Sequence, residues 1–296
     1  MSVDTNNDLI LITAASGKQA RGLLPHLTGT WKHLRLNVAS QASADRLKQQ
    51  YPGADVTQHD ISDPHACDTM LQGVTACFLV TPAFHPQETQ CGINVINAAR
   101  SSMQKMMNHD AKRYIEEYLV ESGVPHTIIQ PTHLMETLPL AKIVEEAEKD
   151  GKASHPLFWD PSVPSTSVST RDVGEAAAKI LAERERHFSA TYQLVGTRAP
   201  ISYTQIAAIV SEEIGKPFSI EQKPIDDGVK AFNSMMTSGK PETADFLMKQ
   251  GPARMFMYYN GRGIIGNPNV LEMLLGRKAL DYRDWVKMGL KEIKGQ

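Results

Sequence analysis

The segment Leu9–Gly22 holds the residue types that a nucleotide phosphate requires. It reads LILITAASGKQARG: apolar residues, then small side chains centred on Gly17, then an amphipathic run continuing through Leu23, Leu24 and Leu27. That order describes a buried strand, a tight turn and a helix. Free amides at a helix N-terminus attract an anion. In a dinucleotide fold such a turn has three tasks: it turns tightly, lets backbone approach the pyrophosphate, and lets the helix pack on the strand. The matching positions are Ala14, Gly17 and Ala20. Gly17 supplies a permissive backbone. Alanine at the packing position costs little, whereas alanine at the first position demands an ordinary turn conformation. Lys18 adds positive charge for a phosphate. A turn of this kind is a weak sign alone, and an α/β protein whose first turn binds nothing fits the same residues.

Other chemistry-bearing residues are dispersed. His85, His109 and His133 fall near expected strand ends or helix starts, where an imidazole could carry a proton. A lone histidine in such a place is more often structural. There is no His-Glu-x-x-His and no tight His/Asp/Glu spacing, so no metal is expected. The Gly-x-Ser-x-Gly elbow of many hydrolases is absent as well. Cys67, Cys77 and Cys91 lack metal-like spacing, and their odd number argues against a disulfide framework. Buried free thiols in a reducing cytosol are expected. Phe256, Tyr258 and Tyr259, with Met235, Met236, Met255 and Met257, mark an apolar region, either core or a substrate pocket.

The elements that must position these residues follow from periodicity. Strands are expected at Leu9–Thr13, His33–Val38, Asp55–His59 and Thr75–Val80, separated by helices at 19–27, 43–51 (capped by Ser43), 63–71 and 85–99. Strands alternating with helices mean right-handed βαβ units and a parallel sheet. The alternation then fails. A helix over 108–122 follows the preceding helix with no strand between, and the next strand is His126–Gln130. Either two helices pack side by side, or about ten residues, the length of a strand and its turn, are absent after Ser102. Tyr114 and Tyr118, four residues apart on this helix, are expected to face the core. Beyond Pro131, 151–169 reads as a loop with three prolines, followed by a helix over 171–183, short strands at 192–195 and 218–222, and a capped helix over 202–214. The rest is helical in character.

Charges nearly balance, 31 basic against 33 acidic, so nucleic acid and anionic membrane are not expected as partners. No apolar run approaches the roughly 20 residues of a membrane span. The first residues lack the basic start of a signal peptide. The fold expected is α/β: a doubly wound parallel sheet of Rossmann type with a smaller, mostly helical C-terminal lobe.

Several segments resemble the NmrA-like group of atypical short-chain dehydrogenases. They are ITAASGKQARG, VTPAFHPQE (80–88), NHDAKRYIEEYLVESGVPHTIIQPTHLME (108–136) and STRDVGEAAAKIL (169–181). YYNGRGIIGNPNVLEMLLGR (258–277) is similar to the tail of fungal members. The resemblance implies an NAD- or NADP-binding Rossmann domain over 1–155, rejoined by a strand near 191–195, and a substrate-binding lobe over 156–296. Cofactor contacts are implied at Ala14, Ala15, Ser16, Gly17, Lys18, Gln19, Asn37, Asp60, Thr81, Pro82, Lys112 and Pro131. Catalytic roles are implied for Lys112, which would meet the nicotinamide ribose, and for His133.

Three departures bear on chemistry. NADP-preferring members carry an arginine after the second strand, where this chain has Ala39, and no acid stands there for NAD, so the preference stays open. Arg35 is expected to point elsewhere into solvent. The family's fifth strand is missing after Ser102, in agreement with the periodicity. Where ordinary short-chain dehydrogenases place a tyrosine four residues before the lysine, this chain has Asn108. The expected function is an oxidoreductase acting in the cytoplasm on a bulky, apolar small molecule between the lobes. A non-redox isomerase or cyclase is one alternative. Another is a redox-sensing regulator without turnover, which would have a protein partner.

Overall fold

The computed structural model describes residues 3–83, 85–99, 110–236 and 246–295. In chain order the first elements are β1 (Leu9–Ile12), α1 (Lys18–Leu27), β2 (His33–Asn37), α2 (Gln41–Gln50), β3 (Asp55–Thr57), α3 (Pro64–Met70) and β4 (Ala76–Phe78). Next come α4 (Glu88–Ala98), α5 (Asp110–Glu121), β5 (Thr127–Pro131), β6 (His133–Leu134), α6 (Leu140–Asp150), β7 (Ala153–Leu157), β8 (Ser167–Val168) and α7 (Thr170–Glu183). The chain continues with β9 (Ala190–Leu194), α8 (Tyr203–Ile214), β10 (Phe218–Gln222), α9 (Ile225–Met236), α10 (Phe246–Arg262), α11 (Asn269–Leu275) and α12 (Tyr282–Ile293).

These elements form two compact units, Met1–Gln130 with Val173–Tyr192, and Pro131–Asp172 with Gln193–Gln296. The division is interleaved, with 131–155 in the second unit and 173–192 in the first. A helix that covers a sheet can be supplied from a distant stretch of chain, and periodicity has no means of showing that return.

In the first unit, four strands pair in parallel in the order β3-β2-β1-β4, and β5 pairs with β9. Order 3-2-1-4 is one half of a doubly wound sheet (3-2-1) with the first strand of the other half beside it. Ile10, Leu11 and Ile12 are completely buried, as expected for a strand covered on both faces. Leu11 packs in one core with Cys67, Cys77 and Cys91 and with Val95, Ile115 and Leu119 of the following helices. All three thiols are free and buried. Glycines allow two close helix contacts. A Cβ on Gly92 of α4 would lie 2.5 Å from Ile115 Cδ1 of α5, and one on Gly174 of α7 would collide with the Gly22 carbonyl of α1. α4 and α5 therefore pack directly. The strand expected to be missing after Ser102 falls on residues outside those described, as do Asn108 and His109.

Two helix starts follow their local sequence signals. Asp63 caps α3 through the amide of His65, ahead of Pro64. Ser202 and Gln205 form a reciprocal capping box on α8. α2 differs: its cap is Ser40, whose hydroxyl accepts from the Ser43 amide, so Ser43 lies inside the helix. Tyr114 also differs. It is 47% exposed, with the Arg113 guanidinium over its ring, because core packing on α5 is carried by Ile115 and Leu119.

The second unit is mainly helical, as expected, but 151–169 is not only loop. β7 pairs in parallel with β10 from Ala153–Phe218 to Leu157–Gln222, and β8 pairs with β6. Pro156 hid β7 from the sequence pattern; a two-stranded sheet tolerates it because each strand has a free edge. Behind these strands lies a core of Met135, Leu140, Ile143, Val210, Tyr282 and Val286. No helix among the described residues is long and apolar enough to cross a membrane.

Candidate functional site

Thr13 joins the C-terminal ends of β1 and β4. Its amide donates to the Phe78 carbonyl (3.1 Å), and its hydroxyl donates to the Val80 carbonyl (2.8 Å) while accepting from the Val80 amide (2.7 Å). The turn after β1 and the segment carrying Thr81 therefore lie side by side, at the end of a parallel sheet where ligands bind.

The turn itself corrects the expectation for its glycine positions. Ala14 occupies left-handed backbone, with φ of 45°, and the Gly17 amide donates to its carbonyl at 2.8 Å. Gly17 has ordinary extended backbone, φ −77° and ψ 170°. Its lack of a side chain matters for space, because a Cβ would lie 3.0 Å from the Ala14 oxygen. The Ala15 amide donates to the Asn37 carbonyl at 3.0 Å, tying the turn to β2. Lys18 then begins α1, which has neither a side-chain cap nor an acid in its first turn. At this end of the helix Ser16, Gly17 and Gln19 are half-buried and Lys18 is exposed.

Asn37 acts as a brace. Its amide oxygen accepts from the His59 amide (2.8 Å) and the Thr57 hydroxyl (3.1 Å), and its nitrogen donates to the His59 carbonyl (3.0 Å). Ala39 is exposed just beyond it. Arg35 is held away, bonded to Asp55 (2.6 Å) and to the carbonyls of Met70 and Gln72; it is a structural bridge, not a solvated side chain. Asp60 is exposed. Hydrogen bonds from Ser62 hold its carboxyl below the ordinary range, with a smaller contribution from His85. Pro82 is exposed beside Thr81, and its carbonyl accepts from the His85 amide at 3.2 Å.

At the end of β4, three buried polar side chains form a triangle. Lys112 Nζ lies 2.9 Å from Glu88 Oε1 and donates to Thr81 Oγ1 at 2.9 Å, while Thr81 donates to Glu88 Oε1 at 2.9 Å. The lysine and glutamate side chains are 8% and 6% exposed. Glu88 opens α4, where the helix dipole favours a carboxylate. One turn beyond Lys112 on α5, Glu116 accepts from Gln130, and burial raises its carboxyl. Nothing in the residue pattern singles out Glu88. Its only local mark is an acid in a helix's first turn, and its distance from Lys112 along the chain obeys no helical or strand spacing.

Cys91, three residues beyond Glu88, has its sulfur 3.9 Å from His85 Nδ1. Burial, chiefly, pushes its thiol up to about 12. This cysteine–histidine contact is thus not an activated nucleophile. Among the described residues there is no cluster of His, Cys, Asp and Glu that could hold a metal.

Pro131 and His133 lie in the second unit. His133 Nε2 contacts the Tyr203 hydroxyl (2.7 Å) and the Thr137 hydroxyl (3.0 Å). Thr137 donates its one proton to the Leu134 carbonyl (2.8 Å), so it accepts at His133, and Nε2 carries the hydrogen. The rings of Trp159, Tyr203 and Tyr259 stand edge-on to the imidazole at 6.0, 6.0 and 5.6 Å. Burial keeps both tyrosines protonated, moving Tyr259 up to about 12 and Tyr203 higher. Nearby Glu136 accepts from Ser169, from the Thr170 amide at the start of α7, and from Trp285 Nε1. It fixes the segment that carries His133. Sequence reasoning missed Tyr203 and Trp159, which come from distant helix and loop positions.

A parallel sheet in order 3-2-1-4, with a small-residue turn leading into an uncapped helix, defines a dinucleotide-binding fold of Rossmann type. More particularly, the chain belongs to the NmrA-like family, whose model matches residues 6–239. It is 25% identical over 250 residues to quinone oxidoreductase 2 of Escherichia coli K12, covering 77% of this chain and 82% of that protein. It is 24% identical over 226 residues to prestalk A differentiation protein A of Dictyostelium discoideum, covering 72% and 71%. Among solved structures, Citrobacter sp. triphenylmethane reductase superimposes with a TM-score of 0.72 at 19% identity, covering 96% and 99% of the two chains. NmrA, a negative transcriptional regulator solved with NAD, gives 0.69 at 17%, covering 98% of each.

Proposed function

We propose that this protein binds NAD or NADP at the turn Ala14–Gln19 and is an oxidoreductase for a bulky, apolar, conjugated acceptor. The observation that carries this reading is the buried Lys112–Thr81–Glu88 triangle beside an uncapped α1. The residues present fit the cofactor. The first turn of α1 offers amides without a competing side-chain cap or acid. Lys112 would hold the nicotinamide ribose, Asp60 the adenosine end, and Thr81 and Pro82 the wall beside the ring. When bound, such a cofactor supplies two electrons to an acceptor.

The triangle also limits the chemistry. In a tyrosine–lysine pair, an uncompensated ammonium acidifies the phenol. Here the Lys112 charge is balanced by Glu88, and the tyrosine position is Asn108. Acceptors whose reduced form spreads charge over a conjugated system need no strong enzyme acid. The relatives named for quinones and triphenylmethane dyes support that class. In the second unit, the rings around His133 form an aromatic group whose character suits an apolar acceptor. The three buried free thiols fit a reducing compartment such as the cytoplasm.

A second reading, a cofactor-sensing regulator without turnover and with a protein partner, is favoured by the absence of that tyrosine and by the likeness to NmrA. Titration with NADPH, NADH and their oxidised forms, followed by tryptophan fluorescence, tests cofactor binding. Loss of nicotinamide absorbance over quinones and triphenylmethane dyes then tests turnover. Binding without oxidation of the cofactor by any of them would favour the regulator, and absence of binding would sink both readings.

A further inference from the structure

We infer that Glu88 is the positioning residue of this site, fixing both the direction and the charge of the Lys112 ammonium. The inference rests on the reading that Lys112 meets the cofactor. An ammonium has three N–H donors. Thr81 Oγ1 and Glu88 Oε1, each at 2.9 Å, take two of them. Among the described residues the third has no partner, so it is the donor left for a ribose hydroxyl. Its direction is set by the other two, and Glu88 fixes both, because the same Oε1 also accepts from Thr81 at 2.9 Å.

Glu88 is itself held. It is the first residue of α4, and its backbone amide donates to the His85 carbonyl at 2.9 Å. Other titratable groups acting on the pair include Glu116, which interacts with Lys112 on α5, and Cys91, which interacts with Glu88 on α4. Asp60 and His85 lie one step further out, acting on Cys91 and on each other. Burial makes Cys91 a neutral thiol, and Glu116 is partly compensated by Gln130. Glu88 is therefore the carboxylate that balances the buried lysine.

Glu88→Gln keeps the shape and one hydrogen-bond acceptor but removes the charge. A buried ammonium without a counter-charge favours the neutral amine, which donates less strongly. The experiment is NADPH titration by fluorescence for wild type, Glu88→Gln, Lys112→Met and the double variant, at several values from about pH 6 to about pH 9. Glu88→Gln is expected to bind roughly 10–100-fold more weakly, as for loss of a charged hydrogen bond, with affinity falling further as pH rises. The double variant is expected to bind no worse than Lys112→Met alone, because Glu88 acts through the lysine. Glu88→Asp, which restores the charge, is expected to recover part of the affinity and remove the pH slope.

Binding by wild type with unchanged, pH-independent binding by Glu88→Gln would overturn the inference alone. Additive losses in the double variant would do the same. Failure of wild type to bind any nicotinamide dinucleotide would remove the cofactor reading and this inference with it. Should Glu88→Gln not fold, the double variant, which buries neither charge, still allows the comparison with Lys112→Met.

Discussion

Gly17 donates its amide to the carbonyl of Ala14 at 2.8 Å, and of the two it is the alanine that holds the left-handed backbone. The glycine is there because a Cβ would crowd the Ala14 oxygen; the alanine bears the conformational cost. Residue types alone reversed these roles.

Ala14→Gly should therefore stabilise the protein. Left-handed backbone costs a non-glycine residue roughly 1–2 kcal/mol. Against that, glycine gives the unfolded chain extra freedom worth about 0.4–1 kcal/mol. A net gain of roughly 0.5–1 kcal/mol is expected, seen as a higher urea midpoint at constant slope. A lower midpoint would show that the turn does not carry this strain.

Lys112→Ala should lower stability as well as cofactor binding. The lysine reads in the sequence as one of several charges on a helix face, and on that view its removal would cost little. In the structure it neutralises a carboxylate that is 6% exposed. Removing one partner of a buried pair costs about 3–5 kcal/mol. Urea unfolding decides the matter, and a loss under about 1 kcal/mol would mean that solvent reaches Glu88.

Those two cases show where legibility ends. The β1 strand, its helix and the alternation through β4 were readable because burial on both faces makes apolar runs and because Asp63 and Ser202 mark helix starts. Thr81 and Lys112 are singled out through resemblance, and the structure brings them into contact. Glu88 is not singled out, since a contact between the first turns of two packed helices depends on how those helices lie and not on any spacing. β7 escaped because of Pro156, and β8 because two residues make no pattern. The return of 173–192 to the first unit is likewise a matter of tertiary packing, in which Gly174 meets Gly22.

Alkaline pH should unfold the protein partly through its buried thiols and phenols. Burial raises Cys91 to about 12 and Tyr259 to about 12. A group with a raised folded pKa contributes stability that is complete below its unfolded pKa and is lost as pH rises toward the folded one. The loss should begin near the unfolded thiol value of about 8.5 and steepen near the phenol value of about 10. Cys91→Ala should flatten the first part of that decline in urea unfolding, relative to its own stability at neutral pH. In the native protein Cys91 should also resist alkylation at mildly alkaline pH. Rapid labelling there, without unfolding, would show that the thiol is not buried as described.

Ala39→Arg should convert an undecided cofactor preference into one for the phosphorylated form. Ala39 is exposed directly after β2, at the end of the strand braced by Asn37, and α2 begins next to it with Ser40 as cap. The side chain there would therefore meet whatever the cofactor carries at its ribose 2′ position. Arg35 cannot supply that charge, because Asp55 and two backbone carbonyls hold it. A guanidinium added at position 39 has solvent to extend into and no buried partner to displace. A charge-assisted bond to a phosphate is worth roughly 1.5–3 kcal/mol, or about 10–100-fold in affinity. NADPH binding should tighten by about that ratio while NADH binding stays within a few-fold of wild type, as read by fluorescence titration. Equal changes for the two cofactors would show that the arginine attracts the whole molecule electrostatically. No change for either would place the 2′ position away from Ala39.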